Sequence, residues 1–297
     1  MKFHLDTAEI FIPDGEPVET ALARTTHMCF SAHQDDIEIM AAHPILECFQ
    51  RRDKWFTGVV VTDGRGSPRN GLYEEFGDEE MRLVRFKEQR KAACVGEFSA
   101  QVMLDYPSRV VKDGSRSEPV EDMLAILRAA RPRFVYTHNL ADKHDTHVAV
   151  ALRVIEALRR LGQAERPERI VGCEVWRGLD WLMDSDKVLM DLSTHENMQL
   201  ALLGVFDSQI AGGKRYDLAS MGRRRANATY LESHDVDVMN GLSFAMDLTP
   251  LMNDPTEKPA RYTHGFIQRF AQDVGERIGR MSSPFPARLH SSLKKGG

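Results

Sequence analysis

Short, nearly continuous apolar runs alternate along the chain with longer segments in which apolar residues recur every three or four positions. The first strong strand is predicted at 26–32, and 55–62 is a near-continuous apolar run. Helical apolar spacing is clear at 37–52, and the segment 79–97, which is rich in Arg and Lys, is also predicted as a helix. Continuous apolar runs are typical of parallel strands buried on both faces, and the longer period is typical of amphipathic helices. Further strands are predicted at 100–104, 133–137, 170–176 and 188–192, and further helices at 120–130 and 147–161.

Strands that alternate with helices form βαβ units, which build a mainly parallel sheet with helices on both faces. We therefore predict a single α/β domain with C-terminal additions, because the chain shows no internal repeat and no clear linker. The domain is predicted to span 26–281, after an N-terminal extension at 1–25. The segment 282–297 is rich in Pro, Ser and Lys, and we predict a flexible tail there.

Composition narrows the class of protein. Of the 297 residues, 42% are hydrophobic, which excludes a mainly disordered chain. The 39 basic and 44 acidic side chains give a net charge of -5, so the composition gives no sign of a basic surface for nucleic acid. No apolar segment reaches the roughly 18 residues of a membrane helix, and the N-terminus does not read as a signal peptide. The four cysteines are widely spaced. A cytoplasmic protein is the expectation, and a homo-oligomer stays open.

Two clusters of potential ligands follow predicted strands. His33, Asp35 and Asp36 come directly after the first strand, and the segment 142–147 follows the strand that ends at Thr137. Because sites in parallel sheets form at the carboxyl ends of strands, neighbouring strands would bring the two clusters together.

Together the clusters can supply two imidazoles and a carboxylate, which suits a catalytic zinc that keeps one coordination position open. Adjacent carboxylates cannot point the same way, so one of Asp35 and Asp36 can bind the metal while the other acts as general base. His144 and His147 are one helical turn apart, so one can bind the metal and the other can face a substrate. The alternative is that the carboxylates cap a helix and the second cluster is a solvated turn. The presence of both clusters favours the metal.

At these motifs the sequence resembles the GlcNAc-phosphatidylinositol de-N-acetylase family of PIG-L or LmbE-like deacetylases. The similarity covers about 26–151 and rests on four segments: Ala32–Glu38 resembles A-H-P-D-D-x-E, Val60–Gly64 a T-x-G segment, Arg85–Ala93 an R-x-x-E…A-A helix, and Asp142–His147 the motif D-x-H-P-D-H. Weaker similarity extends to Asp207–Gln209.

The resemblance implies a zinc-dependent amide hydrolase on a Rossmann-like α/β fold, with another divalent metal as an alternative. The implied substrate is a small amino sugar or glycoconjugate of the N-acetylglucosamine type, from which the acetyl group is removed. The family's roles carry over as follows: metal ligands at His33, Asp36 and His147, the general base at Asp35, the residue that polarises the carbonyl at His144, and substrate binding at Arg85.

Four positions depart from the family pattern. Gln34 replaces a proline, which is expected to change little, and Ala42–His43 stands where many members have a glycine pair. Phe206 stands where members often carry a histidine, and Thr146 replaces the aspartate that orients the polarising histidine. Threonine brings no charge, so support for a charged His144 is expected to be weaker. The Thr146 departure is the best support for an alternative, a family member that binds metal and sugar without turnover. A nucleotide-binding module is a weaker alternative, because the glycine-rich segment 64–69 lacks a third glycine.

Other side chains are interpreted as structural. His43, His138 and His264 are expected to be structural or partly exposed histidines rather than ligands. The run Arg223–Arg225 could bind an acidic substrate or phosphate, but a solvated helix face is the commoner reading. Three tryptophans could stack on a sugar ring: Trp55, which is expected in the core, and Trp176 and Trp181, for which the two readings are balanced.

Overall fold

The computed structural model describes residues 1–282, and they form one mixed sheet covered by helices. Its eight strands are β1 (Glu9–Phe11), β2 (His27–Ser31), β3 (Phe56–Thr62), β4 (Ala100–Tyr106), β5 (Phe134–His138), β6 (Arg169–Cys173), β7 (Lys187–Asp191) and β8 (Leu242–Asp247). Their order is β1-β4-β3-β2-β5-β6-β8-β7. The central strands from β4 to β6 are all parallel, whereas β1 and β8 run antiparallel to their neighbours. The predicted α/β fold with a mainly parallel sheet is confirmed.

Twelve α-helices lie within residues 1–282. They are α1 (Val18–Ala23), α2 (Asp36–Met40), α3 (Ala42–Cys48), α4 (Asp78–Val95), α5 (Ser108–Lys112), α6 (Glu118–Ala130), α7 (Asp145–Arg159), α8 (Glu196–Gly204), α9 (Asp207–Ile210), α10 (Tyr216–Thr229), α11 (Thr249–Asn253) and α12 (Pro259–Ser282). None of these helices combines the length and apolarity needed to cross a membrane. The cytoplasmic location stays a prediction.

The alternation of side chains along β2 builds a core on each face of the sheet. Met28 and Phe30 belong to one core together with Val154 of α7, and Cys29 belongs to the other together with Phe86 of α4. All five side chains are almost completely buried. A strand covered on both faces is typically apolar at successive positions, which explains the run of apolar residues Met28–Phe30 at the centre of β2.

The helical stretch predicted over 37–52 is divided into two short helices in the structure, the second of which ends at Cys48. Helix α2 ends at Met40, the non-helical Ala41 follows with φ −113° and ψ 22°, and α3 contains Pro44 in its first turn. Proline has no N–H for a helical hydrogen bond and clashes with the carbonyl four residues earlier, but it is tolerated in a first turn. Pro44 therefore forces the helix to restart.

The sequence pattern missed β1 and β8, and both pair with the sheet in antiparallel orientation. The proposed division into an extension, a domain and a tail stays a prediction. Residues 283–297 of the predicted tail lie outside the described residues.

The sheet reverses its direction of growth between β2 and β5. From β2 the chain continues outward to β3 and β4, and from β5 it continues to β6 on the other side. Ligand sites of open parallel sheets lie at the carboxyl ends of the strands where this reversal occurs. His33 and the segment 142–147 follow these two strands, so the topology directs both clusters into the same crevice.

Candidate active site

Three potential metal ligands converge where β2 and β5 end. His33 Nδ1 lies 3.2 Å from His147 Nε2, and the Oδ2 atom of Asp36 lies 3.2 Å from the first and 3.4 Å from the second. Asp36 and His147 are buried, and His33 is partly exposed at the cavity. The structure therefore brings together the three residues that the resemblance implied as ligands.

The donor set fits a divalent ion. Ligand atoms that surround zinc tetrahedrally at about 2.0–2.1 Å are separated from one another by about 3.3–3.4 Å. The three separations here are 3.2, 3.2 and 3.4 Å. Two imidazole nitrogens and one carboxylate oxygen also match the ligand types of catalytic zinc sites, which leave one position open.

Hydrogen bonds hold the ligands in this orientation. Asp142 lies with Oδ2 3.4 Å from His147 Nδ1 and accepts the backbone N–H of Trp176 at 3.1 Å with the same oxygen. Its other oxygen, Oδ1, accepts the backbone N–H of His144 at 3.0 Å. A carboxylate behind a ligating histidine fixes the ring and the tautomer. Asp142 therefore acts as an orienting residue, a role that the sequence reasoning did not assign.

The charges around Asp36 favour its ionised form. Burial opposes ionisation, but His147, His33 and His138 outweigh it and hold the pKa of Asp36 well below its usual range. Its carboxylate also accepts the backbone N–H of His33 at 2.7 Å. Burial disfavours a charged His147, but Asp36 and Asp142 raise the pKa of that ring.

Asp35 has the opposite environment. Burial raises its pKa, although Arg85, whose Nη2 lies 3.6 Å from the carboxylate, works against this rise and Asp36 adds to it. The backbone of Asp35 has φ 95°, a conformation that L side chains rarely adopt. Strain of this kind concentrates at functional sites. The strained turn directs two adjacent carboxyl groups to different partners, as the sequence predicted.

The side chain of Arg85 holds the turn that contains Asp35. It donates from Nη2 to the carbonyl of Gln34, and its buried Nε and Nη1 atoms have no hydrogen-bond partner among residues 1–282. Buried donors without partners call for a ligand or a water molecule. Gly64 has φ +70°, and a Cβ there would clash with the side-chain oxygen of Gln34. Only glycine fits this approach, which explains the glycine of the T-x-G segment.

His144 lies beside the ligands but has weak support. Its ring stacks on that of His147 with centroids 4.5 Å apart, and its Nδ1 atom is buried without a hydrogen-bond partner among the described residues. Neither Thr146 nor Asp145 therefore bonds to this nitrogen. Burial lowers the pKa of His144, and His147 and His33 lower it further. Thr146 stands where the family motif has an aspartate, and the Nδ1 atom of His144 has no hydrogen-bond acceptor among the described residues.

His138, interpreted above as structural, is fully buried at the centre of the site. Its Nε2 accepts the backbone N–H of Ala32 at 2.8 Å, and its ring stacks on His147 with centroids 3.9 Å apart. The same nitrogen lies 3.5 Å from Asp36 Oδ2. Because Ala32 occupies its lone pair, His138 ties the loop after β2 to the end of β5. Its position as the last residue of β5 is the signal that could have placed it here.

A cavity of about 690 Å³ is lined by His33, Asp35 and Asp36 and also by residues from the C-terminal third. Its outer wall is formed by side chains from α5, the loops after β5 and β6, the segment between α9 and α10, and α10 itself: Lys112, Lys143, Trp176, Lys214, Tyr216 and Arg223. Of the tryptophans, Trp176 lines this cavity, whereas Trp181 packs against the core and Trp55 lies under the guanidinium of Arg24.

The side chain of Glu88 fixes helix α9 to helix α4. The carboxylate accepts the backbone N–H of Ser208 at 2.7 Å and its hydroxyl at 2.6 Å. The neighbouring Gln209 lines the cavity, whereas Phe206 is buried in the protein interior. The Arg85–Glu88 helix and the later 207–209 segment, which are far apart in sequence, are therefore joined at the site.

The three consecutive arginines have three different environments. Arg223 lines the cavity, and Arg224 is buried and donates to the backbone carbonyls of Glu38 and Ile39 at 2.9 and 3.1 Å. Arg225 is exposed and pairs with Glu196. The predicted solvated helix face is thus correct for Arg225 only.

The comparisons with known proteins bear on the family and on the fold. The model of the PIG-L family, described as GlcNAc-PI de-N-acetylase, matches residues 28–158. The resemblance inferred from the motifs is therefore confirmed, and the family's description names the enzyme class that the sequence predicts, an N-deacetylase. None of the curated proteins matches the sequence significantly.

Solved structures share the fold at low sequence identity. A conserved protein from Thermus thermophilus is 19% identical with a TM-score of 0.57, and the match covers 79% of this chain and 99% of that one. The N,N′-diacetylchitobiose deacetylase of Pyrococcus horikoshii is 17% identical with a TM-score of 0.56, covering 74% and 83%. The 4-carboxy-2-hydroxymuconate hydratase GalB of Pseudomonas putida is 15% identical with a TM-score of 0.54, covering 75% and 96%. The fold therefore hosts more than one reaction.

Proposed function

We propose that this protein is a metal-dependent deacetylase that hydrolyses the acetamide of an N-acetylglucosamine-type substrate, with zinc as the resident metal. The observation that carries the proposal is the convergence of His33, Asp36 and His147, at separations suited to one ion, beside the buried carboxyl of Asp35. The match of 28–158 to the de-N-acetylase family supports the reaction type. The fold alone does not, because functions are grafted onto shared folds.

A divalent ion held by the three ligands would polarise the amide carbonyl and lower the pKa of a water molecule. Asp35 is then the group that takes a proton from the attacking water and returns it to the departing nitrogen. Its raised pKa suits both steps, because a general base works best when its pKa lies near the working pH. The products are acetate and a free amino sugar.

The remaining residues of the site orient the substrate and stabilise the transition state. His144, on the cavity side of the ligands, donates a hydrogen bond to the oxygen that becomes negatively charged in the transition state. Arg85, one of the residues that line the cavity, holds the turn of Asp35 in place by donating to the carbonyl of Gln34. Trp176 and Tyr216 offer an aromatic wall for the sugar ring.

A second candidate function has one observation in its favour. The Nδ1 atom of His144 lacks the acceptor that the family's aspartate provides, because Thr146 occupies that position. A protein with metal and sugar sites but weakened turnover is the corresponding alternative.

The test is a paired measurement of metal content and amine release. The purified protein is loaded with zinc, dialysed, analysed for bound metal and then incubated with a panel of N-acetylated amino sugars. About one ion per chain together with amine release supports the deacetylase. Bound metal without amine release supports the sugar-binding alternative, and the absence of both contradicts the proposal.

A further inference from the structure

The long C-terminal helix α12 contacts the rest of the molecule through its first part. Phe266 is buried in the core, and the hydroxyl of Tyr262 donates to the carbonyl of Asp247 at 2.7 Å. From residue 271 to residue 282 the side-chain hydrogen bonds join residues of α12 to one another, and every residue except Asp273 is exposed. The second half of this helix is therefore exposed to solvent within the part of the chain that the structure describes.

One side of α12 is apolar where the helix is exposed. Five large apolar side chains are between 38 and 81% exposed there: Ile267, Phe270, Val274, Ile278 and Met281. Residues three and four apart share one side of a helix, so these five form a row about 21 Å long, which we call the α12 row. Large apolar side chains grouped at a surface mark a site of contact with another molecule. None of the five lines the cavity of the candidate active site.

The spacing of the α12 row is the same when it is read in either direction. Ile267 and Phe270 precede Val274 by seven and four residues, and Ile278 and Met281 follow it by four and seven. A two-fold axis at Val274 would place every member of the row against an apolar residue of an antiparallel second helix. Phe270 would face Ile278, and Ile267 would face Met281. A surface that is complementary to itself in this way is what a symmetric dimer requires.

The charged residues on one flank of the row are also complementary to themselves. Asp273 and Arg277 lie one turn apart on this flank, and Arg277 Nη2 is 3.2 Å from Asp273 Oδ2. In the antiparallel arrangement Arg277 is level with residue 271 of the second copy, which is about 3 Å along the axis from Asp273 of that copy. Each arginine would therefore contact an acidic group of the other helix, and the two-fold axis makes two such contacts.

The mixture of charges favours a second copy over a lipid surface. Helices that lie on membranes carry mainly Lys and Arg beside their apolar face. On the polar side of α12 the acidic Asp273 and Glu276 alternate with the basic Arg277 and Arg280. Anionic lipid would be repelled by half of these groups, whereas a second copy of the helix offers an opposite charge to each flanking residue.

We propose that α12 pairs with α12 of a second copy, antiparallel and centred on Val274, so that the protein forms a two-fold symmetric dimer. The contact is made by the α12 row of each copy and by Asp273 and Arg277 on its flank. One helix from each copy is a small contact beside the roughly 1,200–2,000 Å² of standard interfaces, so the dimer dissociates at micromolar concentration. Because the row lies outside the cavity, each copy keeps its own candidate active site.

The first test follows molar mass against concentration by sedimentation equilibrium of the full-length chain. Between about 1 and 200 μM the mass should rise from 33.6 kDa toward twice this value. Val274→Glu places two carboxylates against each other at the axis and should weaken association by at least about tenfold. Gln272→Glu adds the same charge on the opposite side of the helix and should leave association unchanged. A wild-type chain that stays monomeric at every concentration overturns the proposal, and so does association that Val274→Glu does not weaken.

The second test exchanges the flanking charges. Asp273→Arg brings like charges together across the axis and should weaken the dimer by about threefold to tenfold, the effect of two exposed ion pairs. Combining it with Arg277→Asp reverses both charges and should restore association. Circular dichroism verifies that the helix content is the same in each variant. Failure of the double variant to recover association contradicts the antiparallel arrangement, because only there does this flank face its own copy.

The third test determines the direction of the helices by cross-linking. Cys94, the exposed cysteine, is first replaced by serine. Chains with Ile267→Cys are then mixed with chains that carry Met281→Cys and are oxidised mildly. Disulfides should join the two different variants, as peptide mass analysis of the linked fragments would show. Disulfides only between identical variants would mean that the helices are parallel, which rejects the proposed dimer.

The same variants identify any other occupant of the α12 row. A monomer that sediments with phosphatidylserine vesicles, and loses this binding in Val274→Glu, would show that the row contacts lipid. A monomer whose Tm falls in Val274→Glu but not in Gln272→Glu would show that the row is covered by residues 283–297 of its own chain. Either result overturns the dimer. All of these experiments measure association or stability, so their outcome is independent of whether the protein deacetylates a sugar.

Discussion

At the residue scale, two adjacent aspartates have opposite properties because their surroundings differ. Asp36 faces three imidazoles, which hold its pKa low against the effect of burial. Burial raises the pKa of Asp35, and the single arginine beside it, Arg85, does not offset this rise. The sequence predicted that the two carboxyl groups must diverge. The positive φ of Asp35 leaves no signal in the sequence pattern, and the sequence reasoning missed the role of His138 although this residue ends β5.

The general base is tested by Asp35→Asn, which keeps the shape of the side chain but removes its proton-accepting oxygen. We expect amine release to fall by about 10²–10⁴-fold, the usual contribution of a general base, while zinc content stays near the wild-type value. Asp180→Asn, at an exposed position outside the cavity, is the control. Wild-type turnover in Asp35→Asn would refute the assignment.

The departure at position 146 can be reversed. Thr146→Asp restores the carboxylate of the family motif next to the unpartnered Nδ1 of His144, and we expect kcat to rise by about tenfold, in the range that orienting carboxylates provide. Thr146→Asn, which adds an acceptor without charge, should give a smaller gain. A loss of activity in Thr146→Asp, with zinc content and fold intact, would show that His144 does not need this support.

At the element scale, the short helix α2 is held at both ends. It begins with Asp36, the proposed ligand, and the buried guanidinium of Arg224 donates to its last carbonyls and also to Gln199 at 3.0 Å. The sequence pattern predicted strands β2 to β7 and the longer helices α4, α6 and α7, but not β1, α1 or α5, which are short. It missed β8 and the function of Arg224, because an antiparallel strand and a buried arginine both depend on contacts between distant segments.

The role of Arg224 predicts a large loss of stability. Arg224→Met would leave the carbonyls of Glu38 and Ile39 buried without donors, and we expect the free energy of unfolding to fall by about 3 kcal/mol. Arg225→Met, next in the chain but exposed, should change it by about 0.5 kcal/mol or less. Urea denaturation followed by circular dichroism measures both. Equal effects of the two substitutions would contradict the bonding described for α2.

At the scale of the whole molecule, the site exists only because β2 and β5 are neighbours in the sheet. More than a hundred residues separate His33 from His147, and parallel pairing of the two strands brings their side chains to 3.2 Å. The alternation of strands and helices allowed this pairing to be anticipated. The outer wall could not be anticipated, because α10 and Trp176 reach the cavity through turns that leave no short-range pattern.

Because the ligands come from two separate parts of the fold, metal binding should stabilise the whole molecule. Zinc at about a hundred times its dissociation constant should add about 2.7 kcal/mol, and Tm should rise by several degrees over the chelator-treated protein. The shift is measured by differential scanning fluorimetry with and without zinc. It should be absent in His33→Ala, and an equal shift in that variant would place the metal elsewhere.

The central claim is that one divalent ion is held between the loops that follow β2 and β5. Crystals grown with zinc and measured on both sides of the zinc absorption edge test it most directly. The account predicts one strong anomalous peak at about 2.0–2.1 Å from His33 Nδ1, Asp36 Oδ2 and His147 Nε2. Anomalous density at other residues only, or none between these three atoms in zinc-saturated crystals, would contradict it.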